Sequence, residues 1–178
     1  MRVLYILRSV VLLAAIAPAA HAANGDPAPA DAAGIAFRAL GAYFQGHWQC
    51  QGHFANGKAI ASEEQFEPWL DGTWLHEVHD DHPPFSYHAH SVWGIAKPGG
   101  ALTLSIYDNF GGARSFASED WQGAAITFDA APAGGTASRR ERFVYLRQPP
   151  AAFSFEYQVS TDGGQWRMGD HVDCRRST

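Results

Sequence analysis

From Gly46 onward, apolar and polar residues alternate with a period of two. In HWQCQGHF, Trp48, Cys50, Gly52 and Phe54 share one face, and His47, Gln49, Gln51 and His53 share the other. That period belongs to a β-strand, whose successive side chains point to opposite sides. Asn56-Gly57 follows, a dipeptide suited to a tight hairpin turn. The alternation returns in short segments cut by turn chemistry at Asp71-Gly72, Pro83-Pro84, Pro98-Gly99-Gly100, Gly111-Gly112, Gly134-Gly135, Pro149-Pro150 and Asp162-Gly163-Gly164. About ten strands result, with no room between them for crossover helices, so neighbours must be antiparallel. Ahead of them, residues 34–45 carry Ile35, Phe37, Leu40 and Phe44 at near-helical spacing, which predicts a short amphipathic helix. The expected fold is all-β: a roughly ten-stranded antiparallel up-and-down barrel with the N-terminal helix plugging one end. A barrel is preferred to an open sandwich because closure removes both pairing-competent edges.

The ends of the chain bear on compartment. Residues 1–22 combine Arg2 and Arg8 with an apolar run and Ala20-His21-Ala22, the pattern of a secretory signal peptide; a single membrane anchor is the alternative. The stretch after Arg8 is short for a bilayer span, so no stable membrane insertion is expected after cleavage. Residues 23–33 are small, polar and Pro-bearing and read as a flexible leader, leaving 34–178 as one domain. The expected location is periplasmic or secreted. Removing the signal leaves 11 basic against 18 acidic residues, a formal charge of −7, which disfavours nucleic acid as a partner. Oligomeric state is left open by the sequence. Cys50 and Cys174 are the only cysteines, and in an exported chain they are expected to pair, tying the first strand to the last; two free thiols are the alternative.

Five of the nine histidines fall in HEVHDDHPPFSYHAH, positions 76–90. Strand parity separates Trp74, His76 and Val78 from Leu75, Glu77 and His79, and Tyr87, Ala89, Ser91 and Trp93 from His88, His90 and Val92. A hairpin through HPPFS that sets His79 opposite His88 and Glu77 opposite His90 gathers those four polar residues on one face. The aromatic face is assigned to the interior, so His79, His88 and His90 are expected outside, where their spacing admits a zinc site or a merely solvated wall. His76 is expected to project inward, either satisfied by a neighbouring hydroxyl or used on a ligand. Arg114 shares a face with Phe116 and needs an anionic partner if buried. Glu64, Asp108 or a ligand carboxylate could serve, and exposure at the rim is the alternative. Tyr145 and Tyr157 alternate with phenylalanines and read as core aromatics. No nucleophile elbow, phosphate-binding loop or HExxH motif is present.

GHWQCQGHF resembles the Gly-x-Trp opening strand of the calycin superfamily, which includes lipocalins, fatty-acid-binding proteins and nitrobindins. FEPWLDGTWL and DNFGGARSFASEDWQG resemble a group of bacterial lipocalin-like proteins, and the likeness covers about residues 44–174. It implies a barrel that binds a small apolar or amphipathic ligand. The nitrobindin branch adds haem held by one histidine, although this chain has Cys50 where that branch tends to show glycine.

The combined expectation is an exported barrel binding a small amphipathic ligand. Its interior would be lined by Trp48, Trp74, Tyr87, Trp93, Phe116, Tyr145 and Trp166, with Arg114 and His76 as polar anchors. No cofactor is required by this reading. The alternatives are a haem or metal protein, a small-molecule isomerase or hydrolase using His76 with Arg114, and a filled barrel serving as an interaction module. Apolar alternation alone describes a hollow barrel and a filled one equally well.

Overall fold

A computed structural model describes residues 29–97, 100–130, 139–161 and 163–177. The signal-peptide segment and leader residues 23–28 lie outside the described residues. Helix α1 (Pro29–Phe44) precedes β1 (Gly46–Phe54), β2 (Ala59–Trp69), β3 (Trp74–Asp81), β4 (His88–Ile95) and β5 (Leu102–Asp108). Then come β6 (Ala113–Ser118), β7 (Ala125–Ala130), β8 (Arg139–Gln148), β9 (Ala152–Thr161) and β10 (Arg167–Arg176). All ten strands join one antiparallel barrel, closed by pairing β1 with β10. The fold class and helical plug are therefore as the alternation predicts. Among the described residues no helix is long and apolar enough to cross a membrane.

Two details of the N-terminal region differ from expectation. The helix begins at Pro29, inside the stretch read as a flexible leader; proline is well tolerated in a first helical turn. Ile35 is exposed, so the buried stripe narrows to Phe37, Leu40 and Phe44. These three seal the barrel end formed by the start of β1 and the end of β10. The seal is latched by polar contacts: Trp48 Nε1 donates to the Phe44 carbonyl at 2.6 Å, and Arg176 donates to the carbonyls of Tyr43 and Gln45. Tyr43 donates to the Ala152 carbonyl and accepts from Gln148 N. The Trp48 and Arg176 bonds use carbonyls at the helix C-terminus that would otherwise lack partners.

Cys50 and Cys174 stand directly opposite each other on β1 and β10 and form a disulfide inside the barrel. It staples the closing seam across a sequence separation of 124 residues. On the α1 side the interior is solid. Phe44 packs on Phe66, Trp93 and Phe153 with ring centroids 5.1–5.3 Å apart, and Trp48 meets Phe153 at 4.9 Å. Offset and edge-on aromatic packing of this kind adds to the burial of large rings. On the far side of the disulfide the interior is open.

Candidate functional site

The open half holds a cavity of about 470 Å³, with its mouth between the β3–β4 and β5–β6 loops. Its apolar wall includes Phe54, Ile60, Ile106, Phe143, Phe155 and Val172. Its polar wall is carried by Glu77, His79 and Asp81 from β3, with Arg114, Tyr145, Tyr157 and Asp170 around them. Cavities of this size and composition suit a small organic ligand.

The orientation of β3 creates that polar wall and corrects the expected parity. The main-chain N–H of Asp81 donates to the Tyr87 carbonyl at 2.9 Å, and Asp80 faces His88, His79 faces Ala89 and Glu77 faces Ser91. The register is one residue from the one expected, and a one-residue slip exchanges the two faces of a strand. Leu75, Glu77, His79 and Asp81 therefore point inward, while Trp74, His76 and Val78 point outward. Trp74 lies flat over Gly94 on the outer surface, where a Cβ on that glycine would come within 2.1 Å of the indole. The inward assignment of Ala89, Ser91 and Trp93 on β4 holds.

His79 is gripped from both sides. Nδ1 lies 2.5 Å from Glu64 Oε1 on β2, and Nε2 lies 2.9 Å from Asp81 Oδ1. With both carboxyls ionised, a ring whose two nitrogens meet acceptors carries two protons and is an imidazolium. Burial works against that charge, but Glu64 and Asp81 outweigh it and hold the imidazole well above its ordinary pKa. Glu64 is wholly buried and its Oε2 has no hydrogen-bond partner among the described residues.

Glu77 sits deeper, at the cavity floor. Trp93 Nε1 donates to its Oε2 at 2.8 Å, which explains why an indole can be fully buried here. Burial, reinforced by the nearby Glu64 charge, pushes the Glu77 carboxyl up to about 8. Tyr145 is also buried beside the floor; its hydroxyl makes no hydrogen bond to another described side chain, and burial together with Glu77 raises its pKa well above the usual phenol value.

Asp170 reaches the cavity through a bulge. The β9–β10 register shifts between Met168 and Asp170, and Gly169 is the inserted residue. A Cβ on Gly169 would come 2.8 Å from the Tyr157 ring, so a bare backbone is needed there. The Asp170 carboxylate accepts from Tyr157 N at 3.4 Å, and burial raises it to about 6. At the mouth, Arg114 donates to the Tyr87 hydroxyl at 3.0 Å and lies 3.7 Å from Asp108. Asp108 is thus the partner that Arg114 was expected to need, while Glu64 serves His79. Asn109 ties the two mouth loops together by accepting from His88 N and donating to the Ser86 carbonyl.

The expected site residues therefore separate into three groups. Tyr87, Arg114 and Tyr145 line the cavity. Trp48, Trp93 and Phe116 are interior but belong to the packed core. His76, Trp74 and Trp166 are corrections. His76 stacks on His90 outside the barrel, bonds its Nδ1 at 2.9 Å and meets Glu67 at 3.1 Å. Trp166 lies outside beneath Arg140 and Arg142, whose guanidinium carbons sit 5.0 and 4.1 Å from its ring centroid.

The proposed metal set of His79, His88 and His90 does not converge, because His79 points inward while His88 and His90 point outward. Among the described residues no group of three or more histidine, cysteine, aspartate or glutamate side chains is arranged to hold a metal ion. His79 is the histidine that lines the cavity, and both its ring nitrogens are engaged by carboxylates. Haem ligation there would first have to break that bridge, so the residues present do not fit the group. An isomerase or hydrolase pairing His76 with Arg114 also loses its geometry, since the two lie on opposite sides of the wall.

Glu77, His79, Asp81 and Asp170 escaped the sequence reading of the interior. Two signals pointed to them. A five-residue HPPFS loop leaves Asp81 opposite Tyr87, which turns His79 inward; and a glycine inside a strand pattern, as at Gly169, marks a bulge.

No protein-family model matches the sequence, and no curated protein matches it. Solved structures do match in fold. The crystal structure of Rv2717c from M. tuberculosis superposes with a TM-score of 0.58 at 13% identity, covering 80% of this chain and 98% of that one. At that identity the likeness shows the barrel fold alone.

Proposed function

We propose that this chain is an exported, lipocalin-like carrier of a small amphipathic molecule held in the open half of the barrel. The observation that carries the reading is the cavity of about 470 Å³, apolar over most of its wall, with a compact polar patch on one side. A protein evolved only as a rigid module gains nothing from buried carboxylates facing a void, since each costs desolvation free energy that an apolar residue would not. Export is supported by the buried Cys50–Cys174 disulfide, a bond that persists in oxidising compartments. With one end closed by α1, the ligand enters and leaves at the other, past Tyr87 and Phe110.

Native mass spectrometry of the untagged protein recovered from a bacterial periplasm tests this. A bound small-molecule mass on a chain carrying one disulfide is expected. A bare mass, together with no uptake of an uncharged solvatochromic dye, would overturn the carrier reading.

A further inference from the structure

The cavity carries more carboxyl groups than cations, and the excess bears on ligand class. Among the described residues, five carboxyl groups stand in or against the open half: Glu64, Glu77, Asp81, Asp108 and Asp170. Among the described residues that line the cavity two cations face them, and both are already committed. His79 is shared by Glu64 and Asp81, and Arg114 is held by Tyr87 and Asp108. Glu77 and Asp170 are left without a cationic partner among the described residues. At the floor Tyr145 is a buried residue that lines the cavity, and its hydroxyl has no hydrogen-bonding side chain among the described residues. Glu77, Tyr145 and the Ser91 hydroxyl thus present oxygen atoms to one region of the cavity floor.

We infer that the cavity takes a cationic ligand, a small hydrophobic amine whose ammonium group is received at the floor by Glu77, Tyr145 and Ser91. This rests on the carrier reading and specifies its ligand. An ammonium group carries three donors and no acceptor, which matches a carboxylate, a phenol and a hydroxyl. Its charge gives Glu77 the cationic partner that it lacks once deprotonated. The apolar body then lies against Phe143 and Phe155, whose ring faces also favour a cation passing over them. A carboxylate ligand fits poorly: Arg114 is already satisfied, and the anion would meet Asp81 and Asp170 on its way in.

Binding carries a proton signature. The groups facing Glu77 are Glu64 from β2, His79 from β3, Ser91 and Trp93 from β4 and Tyr145 from β8; Asp81, Asp170 and Arg114 lie toward the mouth. In the empty cavity at pH 7 the Glu77 carboxyl holds its proton, since it titrates near 8. When the ammonium arrives, that proton passes to buffer and a carboxylate–ammonium pair forms, conserving charge. Affinity for the amine therefore tightens about tenfold per pH unit from pH 6 to 7 and levels off above pH 8.

The test is titration calorimetry of the full mature chain with three matched probes, phenylbutylamine, phenylbutanol and phenylbutyrate, in two pH 7 buffers of different ionisation heat. The expected result is amine binding at least tenfold tighter than alcohol, butyrate weakest, and about one proton released per amine bound. Glu77→Gln should abolish the release and bring the amine down to the alcohol's affinity. Equal binding of amine and alcohol overturns the charge inference and leaves the carrier standing. Tightest binding of butyrate overturns it in favour of Arg114 as anchor. Binding of none of the three overturns both readings, and this probe series needs no variant to fold.

Discussion

The two halves of the barrel are walled by the same ten strands, yet one is packed and the other holds a cavity. At the α1 end, Phe44 from the helix fills the axis and gathers Phe66, Trp93, Tyr145 and Phe153 around it. At the open end no helix of the described residues enters, and the inward positions of β3 change from Leu75 to Glu77, His79 and Asp81. The boundary runs along the Cys50–Cys174 bridge and the Trp93–Glu77 hydrogen bond. Closed walls alone therefore do not decide whether a barrel is hollow. What decides it is whether a segment from outside the sheet supplies axial side chains, and whether the inward residues are large and apolar or ionisable.

The sharpest break of that comparison is a matched pair of truncations. Phe44→Ala deletes a fully buried ring from a packed environment, so it loses both transfer free energy and packing and should cost about 4 kcal/mol. Phe155→Ala deletes a ring that already borders the void, so the term for a newly created cavity is largely absent. Its cost should approach transfer alone, about 2 kcal/mol. Urea unfolding followed by tryptophan fluorescence reads both. Equal costs would mean that the open half is collapsed in solution.

The second effect is pH dependence confined to the open half. Burial raises Glu77 to about 8 and Asp170 to about 6, so the folded state keeps protons that the unfolded chain has already released. Their stabilising contribution is complete below the ordinary carboxylate range and is lost as pH rises, for Asp170 by about pH 6 and for Glu77 by about pH 8. Each group costs about 1.4 kcal/mol per pH unit within its window. Stability should thus fall by about 3 kcal/mol between pH 6 and 8 through Glu77 alone. Unfolding midpoints measured across that range should flatten in Glu77→Gln. A wild-type profile already flat from pH 6 to 8 would show that water reaches Glu77 freely.

The packed half was the more legible in the sequence. Trp48 and Phe153 sit in strands with large apolar residues on one face, Phe66 shares a face with Ile60, and Phe116 is the largest apolar residue of its strand, so a register consistent with burial puts all four inside. Phe37, Leu40 and Phe44 followed from helical spacing. The polar wall was hidden because both faces of β3 carry mixed residues: Trp74, His76 and Val78 against Leu75, Glu77 and His79. Hydrophobicity cannot choose between such faces, and the tryptophan argued for the wrong one. It packs instead over Gly94 on the outside, a cross-strand contact invisible to a single-strand pattern. Asp170 was hidden by the Gly169 bulge, which shifts the register in the middle of β10.

The smallest expected effect is also the cleanest check of that register. His76 lies on the outer wall, stacked on His90 at 5.1 Å and bonded to exposed Glu67. Contacts among partly exposed side chains contribute little, because water competes for the same groups. His76→Ala should therefore change stability by about 0.5 kcal/mol or less and leave ligand affinity and proton release as they are in the parent. Were β3 turned the other way, the same substitution would remove a polar group from the cavity, and binding would weaken while Glu77→Gln did nothing. The two substitutions lie one position apart on the same strand and differ in which side of the wall they touch. Calorimetry on the pair thus reads the facing of β3 directly, through opposite outcomes rather than a difference in degree.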